Sequence, residues 1–162
     1  MKVLKWLDNH VELLFVILAL CSIVIIMTLQ IFMRYVLNAS LSWPEELSRY
    51  LFIWFSFIGF SYVTKKELHL KIELINYSRE KVQKFISLLR DIGILIFSFF
   101  MLIGGIEVFN DSINSMQVVP ALQISFAYVY LALPVGFGLC IFRVIQKYLI
   151  IFIRNPLKKG EN

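Results

Sequence analysis

The sequence predicts an all-α integral membrane protein, a single membrane domain over residues 1–162 with four transmembrane helices and an amphipathic interfacial helix on the cytoplasmic side. Three observations predict it. Hydrophobic residues make up 59% of the chain and charged residues 17%, with a mean hydropathy of +0.77; a soluble core of this length has no room for so much apolar surface. The apolar residues fall into four long runs. The 16 Lys and Arg flank those runs instead of forming a basic stripe interleaved with stacking aromatics, so the net charge of +5 reads as a topology signal and not as a nucleic-acid surface.

Met1 to His10, with Lys2, Lys5 and Trp6, suits a membrane surface. The first span, about 11–33, has Glu12 at its edge and then no charge until Arg34, longer than the roughly 20 residues that a bilayer core requires. It is too long, and lacks the small-residue cleavage site, for a removable signal peptide; Leu20 before Cys21 also argues against a lipoprotein box. Thr28 and Gln30 are expected to bond a neighbouring helix.

A short polar connection follows, and the second span begins at about 45 and ends at 64. Ser42-Trp43-Pro44-Glu45 has the spacing of a capping box, with Pro44 in the first turn, where no intrahelical N–H bond is lost. Glu45 and Glu46 lie four and three residues before Arg49 and can both reach its guanidinium; Arg34 could meet the same acids across the turn. Trp43 and Trp54 fit an aromatic belt. Ser56, Gly59 and Ser61 offer small surfaces for helix packing.

Leu68 to Leu74 alternates apolar and charged residues, as an extended segment does. From about 79 to 91 the period changes: Val82, Phe85, Ile86, Leu89 and Ile92 share a face, while Arg79, Lys81, Lys84 and Arg90 occupy other positions. This is the interfacial helix, bending or running on into a third span at about 92–109. Gly104 and Gly105 allow close packing, and Glu107 belongs near the water boundary. Asn110 to Ser125 reads as a polar loop with a turn at Pro120. The fourth span, about 126–152, carries Pro134, Gly136 and Gly138, so a kink and close packing are expected there.

Of the 16 Lys and Arg, 14 fall on the side of the two termini and the 65–90 connection; only Arg34 and Arg49 fall on the other. Both termini are therefore expected in the cytoplasm, and in a bacterium the Arg34–Arg49 hairpin and the Asn110–Ser125 loop face the periplasm. The basic cytoplasmic edge suits anionic membrane lipids.

Little enzyme chemistry can be built from these residues. Cys21 and Cys140 both lie in apolar runs, make neither a disulfide framework nor a zinc site, and read as small buried hydrophobes. His10 and His69 lie outside the span cores, so axial haem ligation is excluded, and no metal, cofactor or catalytic residue is expected. A self-sufficient four-helix proton-coupled drug or cation exchanger is the alternative. It needs an ionisable group deep in the membrane, whereas Leu13 to Met33 contains no acid; a nearly charge-free interior suits a scaffold packed against another membrane protein.

The run Arg34-Tyr-Val-Leu-Asn, then Ser42-Trp-Pro-Glu-Glu-Leu-Ser-Arg-Tyr-Leu-Phe-Ile-Trp54, resembles the first loop and second helix of the small membrane subunit of TRAP (tripartite ATP-independent periplasmic) transporters, the DctQ/SiaQ-like small permeases. His69-Leu-Lys-Ile-Glu73 resembles that family's His-x-x-x-acid segment, with Glu where Asp is commoner. Gln117, Pro120 to Ser125, Tyr128, Tyr130, Pro134 and Gly136 resemble its third loop and fourth helix, with Ser125 where Pro is common. The resemblance covers nearly the whole chain. It implies a bacterial inner-membrane subunit of a sodium-coupled carrier for organic acids, C4-dicarboxylates or sialic acid among them. A large membrane subunit moves the substrate by an elevator motion, a periplasmic substrate-binding protein delivers it, and the small subunit braces the stationary scaffold. Three groups of residues are then expected to matter: Arg34, Trp43, Glu45, Glu46 and Arg49 at the periplasmic edge and partner interface; Gly59, Gly104, Gly105, Pro134 and Gly136 in helix packing; and His69, Glu73, Lys81 and Lys84 at the cytoplasmic interface.

Overall fold

The computed structural model describes the backbone of residues 2–66 and 80–157 and the side chains of residues 10–66, 82 and 85–149. Long helices form wherever the apolar runs are free of internal glycine–proline breaks: α1 (Lys2–Tyr35), α2 (Trp43–Lys65) and α3 (Glu80–Asn114), then the single turn α4 (Ala127–Tyr130) and α5 (Ala132–Leu157). Among the described residues there is no strand, only one antiparallel bridge between Val118 and Ser125. His10–Tyr35, Phe85–Asn114 and Ala127–Leu149 are long and apolar enough to cross a membrane. Among the described residues the chain is thus all-helical, with three such helices, as a membrane protein is. α2 is also a continuous helix, of 23 residues, but Glu45, Glu46 and Arg49 occupy its first turns.

The helices pack in the order α1, α2, α5, α3. α1 lies against α2, α2 against α5, and α3 against α5, so α2 and α5 are central and α1 and α3 flank them. Glu12 meets Ser61 while Phe15 meets Trp54, and Asp91 meets Lys147 while Gly105 meets Leu133, so the flanking helices run antiparallel to the central pair. One end of the bundle carries the α1–α2 turn and the 115–126 loop; the other carries the starts of α1 and α3 and the end of α5. We call these the hairpin end and the chain end.

The expected interfacial segment does run on. α3 continues without a break through the third span, a helix about 52 Å long at 1.5 Å per residue. Its apolar stripe points away from the bundle, with Phe85 66% and Leu89 61% exposed, while Asp91 points inward and is 4% exposed. At its far end α3 extends to Asn114, five residues into the segment expected as loop. The N–H of Ser115 still donates to Asp111 O, and Met116, at φ 48°, then ends the helix in the left-handed region, a position usually held by glycine. His69 and Glu73 lie outside the described residues, as does the rest of 67–79; Lys81 and Lys84 stand in the first turns of α3.

Two glycines set the interhelical distances. A Cβ at Gly136 would sit 2.5 Å from Phe57 Cβ and 3.0 Å from the Phe57 carbonyl, and one at Gly105 would sit 2.9 Å from Leu133. Gly59 is merely in ordinary contact with Val16, and a Cβ at Gly104 meets nothing within 4 Å, so Gly104 takes no part in packing within the chain. Next to Gly136, the 5% exposed Phe137 meets Phe57, Phe60 and Phe97 edge-on at centroid distances of 5.6, 5.7 and 5.7 Å, the geometry aromatic quadrupoles favour.

Pro134 breaks the fourth run. It has no N–H to give to the carbonyl four residues back, and its ring crowds that carbonyl; the run accordingly divides into α4 and α5 around Leu131. The Trp54 indole N–H donates to Tyr128 O at 3.2 Å beside the break, so a side chain expected as an aromatic-belt residue helps to satisfy a loosened backbone. Thr28 bonds its own helix, Oγ1 to Val24 O at 2.7 Å, and not a neighbour. Cys140 is buried as expected, but Cys21 is exposed on the outer side of α1.

These distances separate the glycines by consequence. Gly136→Ala overpacks against backbone that cannot yield and is expected to cost about 1–3 kcal/mol, lowering the unfolding temperature of the purified chain in detergent. Gly104→Ala, with open space around it, leaves that temperature unchanged.

Candidate functional site

At the hairpin end, the expected capping box does not form. Ser42 precedes α2 at φ −89°, ψ −30°, and its hydroxyl makes no cap bond; from that helical backbone geometry the side chain does not reach forward to the free N–H groups, as a β-region cap residue would. The buried Pro44 takes over part of the role by removing one of those donors. The α1–α2 turn closes with Asn38 at φ 51° and the Ala39 N–H on Met33 O at 3.0 Å; Asn is among the few residues that tolerate that conformation.

The two acids part company. Glu45 Oε1 accepts from Arg49 Nη2 at 3.2 Å, with both side chains about two-thirds exposed at 65% and 64%. Glu46 turns the other way, and its Oε2 accepts the backbone N–H groups of Ala121 and Leu122 at 3.0 and 3.3 Å. A carboxylate between two backbone donors makes strong, charge-assisted bonds, and here they fix the loop after α3. Val119 beside this anchor is fully buried, its N–H on Ile124 O at 2.8 Å and its carbonyl accepting from Gln123, which sits at φ 53°. The loop is thus a folded plug over the bundle end, with Tyr50 and Phe126 rings in edge contact at 6.3 Å. Arg34 stays apart from the acids: among the described residues it makes no ion pair with Glu45 or Glu46 and lies 5.8 Å from the Tyr35 ring centroid. Trp43 is half-buried at the first position of α2.

At the chain end the expectation of a charge-free interior is corrected. Glu12, 4% exposed, and Arg143, 7% exposed, form an ion pair of 2.8 Å between α1 and α5. Ser61 Oγ on α2 donates to the same carboxylate oxygen at 3.3 Å, and Arg143 Nη1 donates to Gln146 Oε1 at 2.6 Å. The other Glu12 oxygen is buried with no partner among the described residues. One turn further out, Asp91 on α3 accepts from Arg90 at 2.8 Å, from Lys147 Nζ at 2.6 Å and from Tyr148 OH at 3.0 Å. About one turn further in than Arg143, Cys140 Sγ lies 3.5 Å from both Ser98 and Thr64 hydroxyls.

Sequence reading missed these groups because Glu12 and Arg143 each end an apolar run, where a charge ordinarily meets water. A signal for Asp91 existed: it is the acid opposite the apolar stripe of the 79–91 helix, on the side that has to meet the bundle. The arrangement is one of mutual neutralisation, each buried acid being met by a cation, and the described residues contain no cluster able to hold a metal ion.

With that geometry in view, the comparison with known families decides the relationship. Residues 23–152 match the sequence profile of the tripartite ATP-independent periplasmic transporters, DctQ component. The chain belongs to this family. Among relatives, it is 34% identical over 128 residues to the sialic acid TRAP transporter permease protein SiaT of Haemophilus influenzae, which covers 78% of the chain and 20% of SiaT. It is 30% identical over 152 residues to the isethionate TRAP transporter permease protein DctMQ of Oleidesulfovibrio alaskensis, covering 89% of the chain and 24% of DctMQ. The chain thus spans a quarter or less of those two permeases. Against the sialic acid TRAP transporter small permease protein SiaQ of Vibrio cholerae it is 26% identical, covering 91% of the chain and 84% of SiaQ.

Two measurements check the polar ends. Arg143→Met leaves Glu12 buried and unpaired, which is expected to cost about 3–5 kcal/mol, whereas the double change Glu12→Leu/Arg143→Met recovers most of that loss; unfolding in detergent of both variants reads the difference. Glu46→Gln weakens the anchor on Ala121 and Leu122 by roughly 1–2 kcal/mol, and limited proteolysis is expected to cut the 115–126 loop faster while leaving the helices intact.

Proposed function

We propose that this chain is the small membrane subunit of a sodium-coupled TRAP transporter for an organic acid, of the C4-dicarboxylate or sialic acid type. It braces the stationary scaffold of a large elevator-type membrane subunit and helps to dock the periplasmic substrate-binding protein. The observation that carries this reading is the DctQ match over residues 23–152, together with the likeness to SiaQ, a small permease protein, over 91% of the chain and 84% of SiaQ.

In this reading α2 is the second of four spans. Its 23 residues reach about 34 Å, enough for a bilayer core of roughly 30 Å, and it is enclosed between α1 and α5. The termini and the basic chain end face the cytoplasm and anionic lipid headgroups in the bacterial inner membrane, and the hairpin end faces the periplasm. Bracing needs a body that does not deform, and cross-linked ion pairs with glycine-set backbone contacts suit that task. Docking needs accessible polar side chains, and Glu45 and Arg49 are the exposed pair at the hairpin end.

An exposed pair of this spacing contributes only about 0.3–0.5 kcal/mol to a helix. Glu45→Ala and Arg49→Ala are therefore expected to leave assembly intact, yet to lower uptake by the full three-part transporter without changing which acid is preferred. Proteoliposomes holding this chain alone are expected to take up neither sialic acid nor a dicarboxylate under a sodium gradient. Uptake by the chain alone would overturn the small-subunit reading.

A further inference from the structure

On the outer surface of the bundle, where α3 and α5 meet, Leu95, Ile96, Phe99 and Phe100 of α3 and Ile141 of α5 line an open groove of about 320 Å³ with no polar group in its walls. Ile92, one turn before Ile96, and Ile145, one turn after Ile141, are each about half exposed. Because the two helices are antiparallel, both residues carry the apolar walls on toward the chain end. There a bridge closes the cleft: Tyr148, two turns on from Ile141, donates its hydroxyl to Asp91 Oδ2 at 3.0 Å.

At that bridge the surface turns from apolar to charged. Asp91 is met by two cations, Arg90 and Lys147, so the group holds two positive charges against one negative. Arg90 donates from Nε and Nη2 to a single oxygen, Asp91 Oδ1, at 3.0 and 2.8 Å; among the described residues its Nη1 makes no hydrogen bond. The acid is thus over-neutralised, and guanidinium donors are left for a further anion. From Asp91 to Phe100 is nine residues, about 14 Å along the helix, and one leaflet of a hydrocarbon core is half of roughly 30 Å. An apolar furrow with the length of one leaflet's acyl chain therefore ends on surplus positive charge, the complement of a lipid that carries an anion at one end.

We propose that the groove between α3 and α5 seats one acyl chain of an anionic phospholipid, whose phosphate pairs with Arg90 beside Lys147. Charge-assisted bonds to phosphate oxygens supply the headgroup contact, and the walls from Ile92 to Phe100 hold the chain. This is a single defined seat, distinct from a general attraction of a basic edge for acidic headgroups. It requires that the chain lie in a membrane and does not depend on the small-subunit reading.

The test is native mass spectrometry of the purified full chain in detergent, with phosphatidylglycerol and phosphatidylcholine of identical acyl chains present in equal amounts. The chain is expected to retain phosphatidylglycerol about fivefold over phosphatidylcholine, the ratio that one basic side chain gives near an anionic lipid surface. Arg90→Gln, in which Lys147 and Tyr148 still hold Asp91, is expected to bring that ratio close to one. Ile141→Trp, which fills the groove, is expected to remove most of both lipids, whereas Ile25→Trp on the outward side of α1 changes neither. Inorganic phosphate is expected not to displace phosphatidylglycerol. Equal retention of the two lipids by the unaltered chain, an undiminished preference in Arg90→Gln, full retention in Ile141→Trp, displacement by inorganic phosphate, or a lipid-free dimer in place of the lipid adduct would each overturn the seat. Should Arg90→Gln not purify folded, the two-lipid comparison and Ile141→Trp decide the question by themselves.

Discussion

The fold depends on a charge pair buried at one end of a bundle of apolar helices. Among the described residues α1 packs mainly on α2, and most of its surface is turned outward, so apolar packing alone would let it slide or tilt: lipid tails are as apolar as its own side chains and supply no hydrophobic drive. Glu12 and Arg143 remove that freedom by joining the first helix to the last at 2.8 Å, with Ser61 of α2 completing the junction. An ion pair out of water repays its desolvation only at good geometry, which makes the junction a register device. It holds at one alignment of α1 on α5 and is costly at any other.

α5 uses the same device twice. Arg143 reaches α1, and Lys147, one turn on, reaches Asp91 of α3, so one helix fastens both flanks at the chain end. In mid-bundle the fastening changes in kind: Gly136 brings the α5 backbone against Phe57, Phe137 fills the space between three other rings, and Gly105 admits Leu133 and Pro134. Close backbone approach and edge-on rings gain dispersion contact that solvent cannot replace. The consequence is a body with polar ties at one end and shape complementarity through the middle.

The hairpin end divides its charges between architecture and display. Glu46 is spent on two backbone donors of the loop after α3, which holds Val119 in the bundle and keeps the loop folded despite unfavourable backbone angles at Met116 and Gln123. Glu45 and Arg49 satisfy each other at the surface. Two adjacent glutamates thus do different work because successive helix positions point about 100° apart, one toward the loop and one toward solvent.

Composition, run lengths and the flanking of apolar runs by Lys and Arg were enough to establish an all-helical membrane chain, since the hydrophobic period and the cost of charge in lipid are local properties of a sequence. The stretch from Arg34 to Trp54, taken in order with His69–Glu73 and Gln117–Gly136, likewise pointed to the DctQ family, and Pro134 to a kink in the last run, because a missing N–H acts on its own helix. Only the tertiary structure decided that Glu12 belongs to Arg143 and Asp91 to Lys147, that Glu46 and not Glu45 holds the loop, and that Gly136 is crowded while Gly104 is open. Each of these is a pairing between residues far apart in sequence. The same local pattern, a charge at the end of an apolar run or a glycine within one, is compatible with water, lipid or another helix until the neighbouring helix is in place.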